Sequence, residues 1–142
     1  MTNILIEKAA SSEKLKRLIN SEFERYETRY GISYHVTPFC FTAREENEII
    51  GIVTGYTCYH EVHISELVVM ENHRGEKIGT RLINAVEEHY RGCGFDSMDL
   101  STREFQAPGF YEKCGFTLEF VRKCRDNPKL NRYFYVKYFE QH

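Results

Sequence analysis

Residues 61–91 join an apolar strand pattern, a polar turn that contains a glycine, and an amphipathic helix pattern. The strand is predicted over residues 61–70, which are rich in β-branched and other apolar side chains. The helix is predicted over residues 78–91, because Ile78, Leu82 and Val86 recur at every fourth position and a glycine follows the last turn. A strand that passes through a short turn into a helix is a building unit of α/β folds.

The periodicity along the rest of the chain predicts one mixed α/β domain over residues 1–142. The predicted strands are residues 3–8, 38–43, 49–59, 61–70, 97–101, 117–124 and 132–139. The predicted helices begin at Ser11 or Ser12, at Ile78 and at Gln106, and the first ends at Gly31. The element order is therefore β-α-β-β-β-α-β-α-β-β.

Charge and hydropathy exclude several classes of partner. The chain carries a net charge of −2, whereas nucleic-acid-binding domains normally have a basic excess. No apolar run is long enough to span a bilayer, and no basic start followed by an apolar stretch suggests a secretory signal. We therefore expect a cytoplasmic protein that binds neither nucleic acid nor membrane.

The cysteine and histidine patterns do not predict a metal site. The five cysteines are scattered without a C-x-x-C pair, so reduced thiols are expected rather than a zinc site or a disulfide framework. His60 and His63 are close in sequence, but no third ligand has a recognisable spacing. No metal is therefore expected.

The turn between the strand and the helix has the composition of a phosphate-binding loop. Amides at a helix start and the positive end of the helix dipole favour anions, and Arg74 and Lys77 add charge. The spacing matches neither a Walker loop nor G-x-G-x-x-G, and no Mg²⁺ ligand set for a nucleoside triphosphate is evident. On its own, the turn fits equally well a glycine-containing turn with solvated basic residues.

Two sequence motifs resemble those of the GNAT superfamily of acetyl-CoA-dependent N-acetyltransferases. The run Leu67-Val68-Val69 followed by R-G-x-x-I-G-x-x-L resembles motif A, and A-P-G-F-Y-E-K-C-G-F from Ala107 resembles motif B. This resemblance implies a mixed, mostly antiparallel sheet, splayed at a cofactor cleft, with helices on both faces. It also implies acetyl-CoA as co-substrate and a direct attack by a primary amine.

The resemblance assigns the cofactor site residue by residue. The backbone of Leu67, Val68 and Val69 pairs with the pantetheine arm, and Ala107 and Phe110 line the other side. The pyrophosphate is held by a loop made of Arg74, Gly75, Glu76, Lys77, Ile78, Gly79 and Thr80. The chain departs from the family pattern at Lys77, where glycine is usual, and at Glu104, where asparagine is frequent.

Three side chains are candidates for the proton transfers. Tyr111 stands at the family's usual general-acid position, although a buried aromatic residue on a short helix is the plain alternative. His63 and Glu66 are candidate bases, and the intrinsic pKa of imidazole favours His63. Strand alternation puts these two on opposite faces, so both reach one site only if a β-bulge intervenes. A backbone N–H of Val68 or its neighbour is expected to polarise the thioester carbonyl.

The acceptor is expected to be a small amine. Acceptor recognition in the superfamily involves the first helix, the following loop and the last strands, which here are rich in aromatic and acidic side chains. These residues are Phe23, Glu24, Tyr26, Glu27, Tyr30, Tyr34, His35, Phe39, Tyr133, Phe134 and Tyr135. Such a cleft suits an ammonium group, but the same residues also fit an ordinary apolar stripe.

Two other functions remain open at this point: acetylation of a protein lysine or N-terminus, and a non-catalytic acetyl-CoA-binding regulatory module. A homodimer is also expected, with the aromatic strand 132–139 as a pairing edge.

Overall fold

The computed structural model describes residues 3–33 and 35–140, so the expected acceptor residue Tyr34 lies outside the described residues. The chain divides into two compact units, Met1–Tyr34 and His35–His142. The first unit contains helix α1, Glu13–Arg29. The Ser12 side chain accepts a hydrogen bond from the Leu15 amide at 3.2 Å, which confirms the predicted N-cap.

The strand predicted over residues 3–8 is not formed. These residues have no regular secondary structure, and the side chains of Ile4, Leu5 and Ile6 are exposed. β-propensity alone does not stabilise a strand, because a strand depends on ladder hydrogen bonds to a neighbour. By contrast, α1 ends as predicted, with Gly31 in the left-handed region at φ +68°.

The second unit is built around a six-stranded sheet with the order β1-β2-β3-β4-β6-β5. Its elements are β1 Val36–Glu45, β2 Glu48–Cys58, β3 Glu61–Val69, α2 Ile78–Tyr90, β4 Ser97–Arg103, α3 Gly109–Lys113, β5 Thr117–Arg122 and β6 Arg132–Tyr138. All neighbours are antiparallel except β3 and β4, which are parallel. The predicted mixed, mostly antiparallel α/β fold is confirmed.

The strand predicted as a dimer edge lies inside the sheet. β6 pairs with β4 on one side and with β5 on the other, so its main-chain groups are already used. The edges of the sheet are β1 and β5. The expectation of pairing through this strand is therefore wrong, and the homodimer itself stays a prediction.

Helices α2 and α3 pack on the same face of this sheet. Their core includes the fully buried side chains of Val53, Ile83, Val86, Met98 and Tyr135. Phe110 and Tyr111 from α3 pack against the same cluster. The opposite face, here called the far face, carries the side chains of Tyr56, His63 and Asp99.

Two irregularities in β3 shape the centre of the sheet. The parallel pairing with β4 covers only residues Glu61, Val62 and His63, and it ends at the His63–Asp99 pair. Beyond this point β3 continues beside β2 while β4 continues beside β6, so the sheet splits. Ser65 is an extra residue in the β2–β3 ladder, which makes a β-bulge beside the split.

Candidate active site

A cavity of about 600 Å³ lies beside the split, between the end of β3, the start of α2 and α3. It brings together most of the residues that the two motifs predict. The residues that line it are Leu67, Val69, His73, Arg74, Gly75, Lys77, Ile78, Gly79, Thr80, Gln106, Ala107, Phe110, Tyr111 and Lys113. Of the residues expected at the cofactor, Val68 and Glu76 do not line it. Val68 pairs with Ile52 and is exposed, and the Glu76 carboxylate lies 3.1 Å from Nδ1 of His73.

The loop at one end of this cavity presents uncapped amides and positive charge. No side chain caps the first turn of α2, which begins directly after Lys77. The Nε atom of Arg74 donates to the carbonyl of Val69 at 3.2 Å and so ties the loop to the end of β3. Gly75 has φ +89°, and Lys77 has φ +62°. Lys77 thus stands in a left-handed conformation that glycine adopts without strain, which explains why glycine is usual at this position.

The two helices meet closely at the wall of the cavity. A Cβ atom on Gly79 would lie 3.2 Å from Cζ of Phe110, so a larger residue in α2 would push α3 away. Ala107 also has a left-handed backbone, with φ +57°. Strained backbone of this kind is often found at functional sites, where the surrounding structure holds it in place.

The open edge of β3 offers main-chain groups to this cavity. The amide of Met70 donates to the carbonyl of Ile50 in β2 at 2.9 Å. Successive amides along a strand point to opposite sides, so the Val68 amide also points toward β2. The amides of Leu67 and Val69 therefore point toward the split. Of the expected donors to a thioester carbonyl, a neighbour of Val68 fits the geometry and Val68 itself does not.

Tyr111 is packed in the wall of the cavity. Its ring lies 5.9 Å from the rings of Phe116 and Tyr135 and 5.1 Å from that of Phe110. Burial raises the pKa of Tyr111 to about 12, with a smaller contribution from Cys114. Its hydroxyl therefore keeps its proton throughout the neutral and mildly basic range.

The bulge at Ser65 places His63 and Glu66 on the same face of the sheet. His63 pairs with Tyr56 and Glu66 pairs with Thr54, and these two β2 residues share the far face. The condition for both candidate bases to reach one site is therefore met. Glu66 is exposed and its carboxylate accepts from Oγ1 of Thr54 at 3.1 Å, whereas His63 is half-buried.

A second cavity, of about 500 Å³, opens on the far face at the split. It is lined by Tyr56, Glu61, His63, Ile64, Ser65, Ser97, Asp99, Leu100, Ser101, Glu119, Arg132, Phe134, Tyr135, Val136 and Tyr138. His63 contacts two carboxylates here: its Nδ1 lies 2.6 Å from Asp99, and its Nε2 lies 3.1 Å from Glu61. His63 thus lines one cavity, Tyr111 and most of the predicted cofactor residues line the other, and Glu66 lines neither.

Sequence reasoning did not identify Glu61 or Asp99 at the site. Asp99 is 36 positions from His63 in the sequence, and only the parallel pairing of β3 with β4 brings them together. One signal was present: Asp99 lies in a predicted strand, and aspartate is depleted in strands.

The sequence model of one protein family matches most of this chain. The model of the Acetyltransferase (GNAT) family covers residues 6–116. The chain belongs to the GNAT family of acetyltransferases. This confirms the resemblance of the two motifs and the expected class of enzyme, an acyltransferase.

Individual acetyltransferases resemble this chain less completely than the family model does. The blasticidin-S acetyltransferase of Streptomyces morookaense is 33% identical over 81 residues, which cover 55% of this chain and 58% of that protein. The match thus spans little more than half the length of this relative.

Solved structures share the fold of this GNAT chain. An acetyltransferase from Bacillus cereus superposes with a TM-score of 0.78 at 24% identity, over 94% of this chain and 98% of that one. An aminoglycoside 6'-N-acetyltransferase complexed with coenzyme A has a TM-score of 0.64 at 18% identity, over 92% and 80% of the two chains. In the described residues, no helix is long and apolar enough to cross a membrane.

Proposed function

We propose that this GNAT protein transfers the acetyl group of acetyl-CoA to a primary amine of a small molecule. The observation that carries the proposal is the cavity between the open edge of β3 and α3, with uncapped amides and two basic residues at one end. That arrangement suits an extended arm that ends in a pyrophosphate. The coenzyme A complex of the structurally similar aminoglycoside acetyltransferase supports the same ligand.

In the proposed complex the pantetheine arm lies along β3 and pairs with its free main-chain groups. The loop from Arg74 to Thr80 holds the pyrophosphate, and Ala107 and Phe110 cover the arm from the side of α3. The thioester then lies at the split. There the amide of Leu67 or Val69 donates a hydrogen bond to its carbonyl oxygen.

The acceptor enters the second cavity from the far face. Its neutral amine nitrogen attacks the thioester carbon, the C–S bond breaks, and the departing thiolate receives a proton from the Tyr111 hydroxyl. His63 is the proposed base that takes a proton from the incoming ammonium. The acidic and aromatic lining of this cavity, with Glu61, Asp99 and Phe134, favours a cationic acceptor over a neutral or anionic one.

An acetyl-transfer assay that follows both products tests the proposal. The protein is incubated with acetyl-CoA and a panel of diamines, amino sugars, amino acids and basic peptides, and the release of CoA thiol is followed together with the mass of the product. We expect thiol release that depends on the amine and equals the amount of N-acetylated product. Transfer to peptides alone would favour a protein acetyltransferase, and calorimetric binding of acetyl-CoA without any transfer would favour a regulatory module.

A further inference from the structure

His63 lies between two carboxylates on the floor of the far-face cavity. The distance from its Nδ1 to Asp99 is 2.6 Å, and that from its Nε2 to Glu61 is 3.1 Å. The three side chains differ in exposure: 21% for His63, 32% for Asp99 and 50% for Glu61. Asp99 is thus the shorter and more shielded contact, and Glu61 is the longer and more solvated one.

The fold fixes the orientation of this imidazole. His63 and Asp99 are directly paired across the parallel strands at the last register before the sheet splits. The Tyr56 ring lies 4.8 Å from the His63 ring on the side of β2 and limits its rotation. Glu61 is two residues earlier on the same strand and projects from the same face.

A neutral imidazole cannot donate a hydrogen bond to both carboxylates. A neutral ring has one N–H and one lone pair, and a lone pair facing a carboxylate oxygen is repelled. Both contacts are favourable only when the ring carries a second proton. If Glu61 turns away, the N–H on Nδ1 stays with Asp99, and Nε2 presents its lone pair to the cavity.

We infer that Asp99 is the positioning residue of His63 and that Glu61 is the anchor for the acceptor's ammonium group. This inference rests on the proposed acetyl transfer. An incoming ammonium group pairs with the Glu61 carboxylate and replaces the imidazole as its partner. When the imidazole loses Glu61 as its partner, the Nε2 proton leaves to solvent, and the freed lone pair on Nε2 becomes the base where the ammonium group binds.

The proton and bond changes balance as follows. The ammonium group R–NH₃⁺ gives one proton to Nε2, while the Nδ1 proton remains shared with Asp99. The amine forms the C–N bond, the C–S bond breaks, and the thiolate receives the Tyr111 proton. The second proton lost by the nitrogen restores the Tyr111 hydroxyl through solvent. The proton on Nε2 leaves to solvent, so each turnover releases one proton, one CoA thiol and one amide.

The same three side chains are close enough to suggest a metal site, but their directions disfavour one. One His and two carboxylate ligand atoms lie within 4.8 Å of one another. However, the two carboxylates contact different ring nitrogens, and the lone pairs of these nitrogens diverge in the plane of the ring. For a single ion bound to one ring nitrogen, the carboxylate that now contacts the other nitrogen would have to move to the opposite side of the ring.

Four variants test the inference: Asp99→Asn, Asp99→Ala, Glu61→Gln and the control Asp96→Asn. Asp96 lies 3.6 Å from His60 in an exposed His–Asp pair, so its substitution makes the same charge change outside the cavity. We expect both Asp99 variants to lower kcat by about 10- to 100-fold, with the affinity for acetyl-CoA within about twofold of the wild type. Glu61→Gln should raise KM for the amine by about fivefold or more and change kcat less. The control should leave all three parameters unchanged.

Histidine ¹⁵N NMR supplies a readout that a merely structural role would not change. In the Glu61→Gln protein without acceptor, we expect the proton of His63 on Nδ1, and in the Glu61→Gln, Asp99→Ala protein we expect it mainly on Nε2. Asp99 variants that match the Asp96→Asn control in kcat, or an Nε2 proton while Asp99 is present, would overturn the inference and leave the acetyl transfer standing. A wild-type protein without amine-dependent thiol release would instead reject the proposed function, and the inference with it.

Discussion

Tyr111 combines a shielded phenol with a position on the wall of the proposed acetyl-CoA cavity. Its hydroxyl is the proposed proton donor to the departing sulfur, and its raised pKa keeps it protonated. In the proposed mechanism, this phenol contributes to the rate mainly by giving its proton to the developing thiolate. We expect it to contribute little to holding the cofactor, because the contacts of its ring remain without the hydroxyl.

Tyr111→Phe separates these two effects. We expect kcat to fall by about 100-fold, since general acid catalysis typically contributes 10²–10⁴. The dissociation constant of acetyl-CoA, measured by calorimetry, should stay within about twofold. Unchanged turnover would remove Tyr111 from the mechanism, and a large loss of binding would assign it to the cofactor site instead.

The same residue predicts a pH effect on stability. The folded-state pKa of Tyr111 is about 12, above the value of 10.0 for an unperturbed tyrosine. Below pH 10 both the folded and the unfolded chain keep this proton, so the unfolding free energy does not depend on it. Between pH 10 and 12 the unfolded chain has lost the proton and the folded chain still holds it, so rising pH favours unfolding. The wild type should lose about 1.4 kcal/mol of unfolding free energy per pH unit in this window relative to Tyr111→Phe. Denaturant unfolding of both proteins at pH 9 and pH 11 measures the difference; parallel losses would refute it.

Lys77 is one of the two positions where the chain departs from the family pattern, and its backbone is left-handed. A non-glycine residue at φ +62° is strained by roughly 1 kcal/mol or more, which the gain of a phosphate contact would offset. We expect Lys77→Gly to leave the unfolding free energy within about 1 kcal/mol of the wild type, because glycine relieves strain but adds entropy to the unfolded chain.

Cofactor affinity should nevertheless fall in Lys77→Gly, by about tenfold, because the ammonium group lines the cavity at the proposed pyrophosphate. Lys77→Arg is the matched control, since it keeps both the charge and the strained backbone, and it should bind acetyl-CoA nearly as well as the wild type. Equal or better binding by Lys77→Gly would show that the lysine is only tolerated.

At the scale of the elements, the position of α2 sets the geometry of the loop proposed to hold the cofactor. Its register on the sheet depends on Gly51 in β2, where an added Cβ would lie 2.9 Å from side-chain atoms of both Ile78 and Leu82. Contacts this short must be relieved by a shift, and the first turn of the helix is the part that carries the loop.

Gly51→Ala should therefore lower the unfolding free energy by about 1–3 kcal/mol, the usual cost of overpacking a core. Gly109→Ala is the control, because a Cβ at Gly109 meets no atom within 4 Å. Thermal unfolding of both variants compares the same added methyl group at a packed and at an open position. A similar melting temperature for both would contradict the proposed role of Gly51.

Elements with a local signal were predictable from the sequence. The helix from Ile78 and the strand from Glu61 carry their periodicity and their turns in adjacent residues, and both form as predicted within one or two positions. The loop proposed for the cofactor was identified from its motif, and all of its residues except Glu76 line one cavity. Features that depend on pairing between distant segments were not predictable. They are the missing strand at residues 3–8, the internal position of β6 and the contact of His63 with Asp99.

The bulge at Ser65 is an intermediate case. Alternation along β3 showed that His63 and Glu66 could share a face only with an extra residue between them, and the ladder contains that residue. Nothing in the local sequence predicts this bulge, because a bulge is defined by the register of the neighbouring strand. The roles of both side chains in proton transfer stay predictions.

At the scale of the whole molecule, two cavities lie near the point where β3 and β4 separate. One has the shape and charge for a long anionic cofactor, and the other has carboxylates and aromatic rings for a cation. In the proposed mechanism, the cofactor and the small acceptor approach the split in the sheet from these two cavities. Binding of acetyl-CoA should also stabilise the folded protein, by about 2.7 kcal/mol at 100 times its dissociation constant.

The most direct test of the central claim is the release of CoA thiol from acetyl-CoA, measured with and without a cationic primary amine and with Tyr111→Phe in parallel. We predict release that requires the amine, matches the N-acetylated product mole for mole, and falls by about 100-fold in the variant. Acetyl-CoA that binds but is consumed at the same rate with and without amine would contradict the account.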